Sequence, residues 1–260
     1  MCGVLTLTGD DLIVTLDPEQ GGRIASIVAF GQERLVGPPL GDSEPRPSSW
    51  GAFPMIPWAG RIQYGKFTFD GVDYEMPINH PPHAMHGIAY TVPWTALDAN
   101  TMRLDLDDPW PFGGHAIHHG SVNGNTATFR LEVHAGDRAM PAMAGWHPWY
   151  RKPVDLSFTA STMYVRDAED IPTREILEPP PPGPWDDTFT GMSSAPMLRW
   201  PDGVTAAITS DCDFWVIYTH PDHALCVEPQ TGPPNEFNTQ PRIVEPGSPL
   251  VAEMTLTLTR

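Results

Sequence analysis

The dominant pattern along the chain is an alternation of apolar and polar residues with period two. Asp11–Asp17 carries Leu12, Ile13, Val14 and Leu16, and Thr126–Val133 carries Ala127, Phe129, Leu131 and Val133. Thr101–Leu106, Ser161–Val165, Val204–Ile208, Phe214–Tyr218 and Val251–Leu258 repeat the habit. Successive side chains of a strand point to opposite faces, so each run predicts a strand with one buried and one wetted face. In Lys66–Met76 the alternation of Phe67, Phe69, Val72, Tyr74 and Met76 is interrupted at Asp70–Gly71, a dipeptide suited to a tight hairpin turn. No long stretch shows apolar positions at helical spacing free of Gly, Pro or β-branched clusters. Strands without intervening helices predict antiparallel sheets packed on one another, since parallel neighbours need long crossovers. The predicted class is all-β, a large antiparallel β-sandwich.

Two proline-rich segments, Gly37–Trp58 and Ile171–Trp185, are expected outside central strands, because proline removes a ladder donor. The second could act as a linker. Similar strand patterning and polarity on both sides favour instead a loop within one domain spanning residues 1–260. Trp50, Phe53, Trp58, Trp110, Phe112, Trp146, Trp149 and Tyr150 fall in Gly/Pro-rich segments and are assigned to loops. A chain of 260 residues buries enough surface to need no disulfide or metal staple.

Charge narrows the partners. Fifteen basic residues against 32 acidic ones leave a formal charge of -17, which repels phosphate backbones and anionic lipid. Nucleic-acid and membrane binding are therefore not expected, and a neutral or cationic small molecule fits better. Cys2, Cys212 and Cys226 are too few and too scattered for a disulfide framework or thiolate cluster. The N-terminus lacks a basic region followed by an apolar run, so a soluble, cytoplasmic protein is expected, either monomer or homodimer.

Histidines cluster. His80, His83 and His86 lie in HPPHAMHG, His115, His118 and His119 in GGHAIHHG, and His147 in GWHPWY. Imidazoles at such spacing invite a zinc reading. Pro81–Pro82 opposes a helix that would gather them, and neither HExxH nor paired CxxC accompanies them. The expectation is no metal, with some of these rings contacting an organic ligand. Aromatic residues such as Trp149, with Arg61, His86, His147 and acids across from them, suit a pyranose: its C–H faces meet rings and its hydroxyls meet charged groups.

Glu228 closes the strand-like ALCVEPQTG run before Pro229 and Gly232, which places it at a strand end within reach of a pocket. His147 is similarly set between Gly145–Trp146 and Pro148. A carboxylate near about pKa 4 and an imidazole near about 6.5 are natural partners for moving protons at neutral pH. The chain has neither a GxSxG elbow, a GxGxxG fingerprint nor a Walker loop, so neither nucleophilic catalysis nor a bound nucleotide is expected.

The same residues carry a resemblance. GGRIASI, then GAFPMIPWAGRIQYG at Gly51–Gly65, FDGVDYEMPIN, HAMHG, MPAMAGWHPWY, WDDTF, CVEPQTGPPNEFN and IVEPGSPL follow one another in an order that resembles the aldose 1-epimerase, or galactose mutarotase-like, family. The resemblance spans about Gly21 to the C-terminus. It implies a β-sandwich with a pocket on one face, no cofactor, and interconversion of the α and β anomers of a hexopyranose. It implies Glu228 as the base at the anomeric hydroxyl, His147 as the acid at the ring oxygen, and His86 beside it as a sugar-binding histidine. Arg61 and Asp186 would hold hydroxyls. Asp186 is preferred to Asp187 because WDDTF aligns its first acid with the family aspartate. The asparagine common before the family arginine is Gly60 here.

Acid and base are expected on opposing sides of the sugar. Three alternatives remain at this point. An anionic hexose would need an arginine subsite, for which Arg23, Arg46, Arg61 and Arg174 are candidates. A non-catalytic carbohydrate-binding protein of the same fold is the second, and a metal-dependent cupin-like barrel using the histidines is the third.

Overall fold

The computed structural model describes residues 3–39 and 47–260, so Cys2 and Arg46 lie outside the described residues. Strands Thr101–Asp105, His115–Asn123, Thr126–His134, Leu250–Thr259 and Thr205–Ser210 follow one another antiparallel in one layer. Phe214–Tyr218, Ala224–Gln230, Gly145–Arg151, Ala52–Met55, Arg23–Ala29, Leu12–Asp17 and Leu5–Thr8 do so in a second. The long strand Asp186–Arg199 belongs to both. Its C-terminal end pairs with Thr205–Ala207 and its N-terminal end with Phe214–Tyr218. One sheet thus curls round to face itself, as the all-β reading expects. Among the described residues the helices are three short 3-10 turns, and none is long and apolar enough to cross a membrane.

Period two is obeyed where one face meets water. Ala127, Phe129, Leu131 and Val133 have no exposed surface, and the residues between them are half-buried. Ala252, Met254, Leu256 and Leu258 bury the matching face of Leu250–Thr259. At roughly 25 cal/mol per Å2 of apolar surface removed from water, these two strands anchor the core. Asp70 and Gly71 form the turn between Lys66–Phe69 and Val72–Glu75, with φ of 51° and 74°. Both central residues of a type I′ turn require that left-handed region.

The loop assignments need correction. Trp146, Trp149 and Tyr150 lie in strand Gly145–Arg151, six of whose seven residues are buried. With both faces covered, the strand has no polar side to alternate, so periodicity does not reveal it. Ala52–Met55, inside the first proline-rich segment, is its neighbour in the sheet. Pro54 is tolerated there because the opposite edge meets Arg23–Ala29 only at Ala52 with Ile24. In the second segment, Pro172–Leu177 is a strand on the edge of Asp155–Arg166, with proline at its first residue.

Candidate active site

Sheet register builds the site. Gly145 faces Gln230 and Trp149 faces Cys226 across two antiparallel strands, which sets His147 opposite Glu228. Phe53 faces His147 on one side and Val216 faces Glu228 on the other, giving a row Phe53–His147–Glu228–Val216. Two residues along each strand, a second row runs Trp149–Cys226–Tyr218–Asp186. Residues two apart on a strand share a face, so both rows lie on the same side of the sheet. A cavity of about 220 Å3 opens over them, with Arg61, His80, Met85 and His86 on its rim.

The rim is tied down locally. Short strands Arg61–Ile62 and Ala84–Met85 pair and bring Arg61 beside His86. His86 takes φ 62° and is clasped by Gly60: its N–H donates to the Gly60 carbonyl at 2.9 Å, and the Gly60 N–H donates to its Nδ1 at 3.3 Å. That bond leaves the ring proton on Nε2. A Cβ on Gly60 would come within 2.5 Å of Pro234 Cγ. With φ at 66° as well, the position suits glycine and leaves a side chain there no room.

His147 and Glu228 are both buried, with Nε2 and Oε1 3.3 Å apart. The His147 ring stacks between Phe53 and Trp149, at centroid distances of 4.8 and 5.0 Å, and meets His86 edge-on at 5.0 Å. Burial pushes the imidazole down to about 3. It lifts the Glu228 carboxyl well above the ordinary carboxylate range, the Asp186 charge adding to the effect and Arg61 opposing it. Burial thus favours the uncharged form of each member of the pair. Both groups are thereby shifted away from the ordinary values of about 4 and about 6.5 expected from the sequence. Two placements are also corrected. Glu228 lies within strand Ala224–Gln230 rather than at its end, and it neighbours His147 on the adjacent strand rather than facing it across a sugar. Burial, with His147 and Arg61 adding to it, likewise holds His86 well below an ordinary histidine.

Asp186 lines the cavity, its carboxyl raised by burial against the pull of Arg166 and Arg61. Asp187, on the opposite pleat, accepts the Arg166 Nε–H at 2.9 Å. Sequence reasoning missed Arg166 and Asp170. Asp170 pairs with Arg166 at 2.8 Å and with Arg61 at 3.7 Å, and so holds the rim arginine. Their spacing of four residues was the available signal. Cys226 was also missed: a ligand atom from each of His147, Cys226 and Glu228 lies within 4.8 Å of the others.

The histidine triplets disperse. His83 Nδ1 accepts the Tyr64 N–H at 3.1 Å. His118, fully buried, bridges the Gly22 carbonyl at 2.9 Å and the Trp146 Nε1–H at 3.2 Å. His115 stacks on His134, and His119 meets Asn100. The cupin-like reading thus loses the converging triplet it needed. Arg23 is locked in the core, donating to the Gln20, Trp50 and Tyr90 carbonyls beneath the Trp50 ring. Arg174 is exposed and lines a separate cavity.

Comparison with known proteins bears on the family and the fold. The sequence description of the family Aldose 1-epimerase matches residues 4–184, well over half the chain. A galactose mutarotase-like protein from Clostridium acetobutylicum superposes with a TM-score of 0.84 at 16% identity, covering 98% of this chain and 94% of that one. Galactose 1-epimerase from Lactobacillus acidophilus NCFM gives 0.80 at 15% identity, covering 98% and 93%. The uncharacterized protein YphB of Escherichia coli (strain K12) is 26% identical over 107 residues, 38% of this chain, a match that spans 36% of that protein's length.

Proposed function

Because the chain belongs to the aldose 1-epimerase family, we propose that it interconverts the α and β anomers of a neutral hexopyranose by acid–base opening and closure of the ring. The observation that carries this reading is the buried His147–Glu228 pair, in contact at 3.3 Å on the floor of the cavity. O1 and O5 of a pyranose are both bonded to C1, so an acid and a base side by side serve both oxygens at once.

In the reactive form Glu228 is a carboxylate and His147 an imidazolium. That form arises when the shared proton crosses from one to the other, and the Phe53 and Trp149 faces favour the cation between them. Glu228 takes the O1 proton as His147 gives its proton to O5. The C1–O5 bond breaks and leaves an aldehyde. Both side chains are then uncharged, the state that burial favours. Rotation about C1–C2 presents the other carbonyl face, and reversal of the proton movements closes the other anomer. His86 Nε2–H, Arg61 and Asp186 hold hydroxyls, with Trp149 beside them in the wall.

Electrostatics favour a neutral sugar. Arg61 is the arginine on the cavity rim, and Asp170 already engages it. The test is anomer-resolved NMR on freshly dissolved α-glucose and α-galactose, with phosphorylated and sulfonated hexoses in parallel. Wild-type protein should accelerate exchange of the neutral sugars, and Glu228→Gln and His147→Ala should each lose about 10²- to 10⁴-fold. Unchanged exchange in both variants rejects these roles, and sugar binding without acceleration supports the non-catalytic reading.

A further inference from the structure

We propose that His147, Cys226 and Glu228 form a site for a thiophilic divalent cation, zinc above all, whose occupation shuts off the acid–base pair. That the ion binds stands on geometry alone; that it inhibits rests on the function proposed above. The three ligand atoms lie within 4.8 Å of one another. Nε2 and Oε1 are 3.3 Å apart, about the edge of a tetrahedron with ligand bonds of about 2.0–2.1 Å. Cys226 is placed by register, opposite Trp149 and Tyr218 and two residues before Glu228, hence on the pocket face beneath the pair.

The donor set selects the ion. Thiolate, imidazole and carboxylate suit zinc and its neighbours, whereas magnesium and calcium prefer oxygen alone. Binding forms bonds to Sγ, Nε2 and a carboxylate oxygen and sends the thiol and carboxyl protons to solvent. A dication with two anionic ligands is then neutral overall, which suits a buried position. His147 is held by the Phe53 and Trp149 rings with its Nε2 already turned to Glu228, so the imidazole presents a ligand atom to the site as it stands. The fourth position faces the cavity, where a water or a sugar hydroxyl would complete the shell.

Metal-stripped protein titrated with zinc chloride tests this, with cobalt chloride as a spectroscopic probe. Zinc should inhibit anomer exchange in competition with sugar, and a chelator should restore it. Cobalt should give a thiolate-to-metal charge-transfer band. Cys226→Ser, or Cys226→Ala should the serine variant not fold, should abolish the band. It should also raise the half-inhibitory zinc concentration by more than about 100-fold, beyond the loss typical of an outer-shell partner. Inhibition is read against each variant's own zinc-free rate, and Cys212→Ser, whose thiol is not among the residues lining the cavity, should behave as wild type. Equal zinc sensitivity in the Cys226 variants, or a cobalt spectrum without the band, overturns the site. A band without inhibition overturns the shut-off, and a band in a protein inactive on every sugar counts against the acid–base reading while upholding the site.

Discussion

Strands Thr126–His134 and Gly145–Arg151 lie in the two facing layers of one sheet and put their outward faces to different uses. On the first, the face away from the core meets water. Thr126 faces Thr257 at 3.4 Å and Thr128 faces Thr255 at 3.0 Å, hydroxyl to hydroxyl. On the second, the corresponding face is roofed by the cavity rim, and it carries an imidazole beside a carboxyl and a thiol from the neighbouring strand, all buried. The first arrangement stabilises the sheet cheaply. The second costs stability, because burial opposes every charged form these groups can take. The candidate site lies where the sheet is least satisfied.

Removing the buried carboxyl should therefore stabilise the fold while ending the proposed activity. The folded Glu228 carboxyl titrates above its unfolded value of about 4.3, so above that pH the folded state holds a proton the unfolded chain has released. Stability then falls as pH rises, up to the folded value. Glu228→Gln should raise the melting temperature at pH 8 and much less at pH 5, in thermal scans beside wild type. A lower melting temperature at pH 8 would contradict the contrast.

His118 has the opposite sign. Its folded value is pushed by burial to about 4, against about 6.5 unfolded. Between those values the unfolded state binds the extra proton, so stability is lost as pH falls through the window, by up to about 1.4 kcal/mol per unit. Urea titrations of wild type and His118→Asn at pH 7 and pH 5 should show a shallower pH slope in the variant. An unchanged slope would mean that His118 does not contribute. The smallest effect belongs to the wetted layer, where Thr128→Val should change stability by less than about 0.5 kcal/mol and leave anomer exchange untouched.

The same contrast explains what was legible in the sequence. Wherever a strand has one wet face, as at Thr126–Val133 or the Asp70–Gly71 hairpin, alternation and turn chemistry mark it. Trp146–Tyr150 escaped because both faces are covered and the strand is uniformly apolar or aromatic apart from its histidine. His147 and Glu228 stood out by residue type and by family resemblance, but their adjacency did not. It depends on the register between two strands far apart in the chain, which local pattern does not carry. Cys226 was invisible for the same reason, since a thiol two residues before Glu228 matters only once His147 is known to lie opposite. The histidine triplets misled because spacing along the chain is not proximity in a β-sheet, and His118 went to the core.

The central claim is that His147 and Glu228 work as one unit sharing a proton, and a double-mutant cycle on anomer exchange tests it most directly. Glu228→Gln, His147→Ala and the double variant are compared with wild type on fresh α-glucose. For groups acting as a unit the double variant should be scarcely slower than the worse single one. Losses that multiply in the double variant would show two independent contributions and contradict the account.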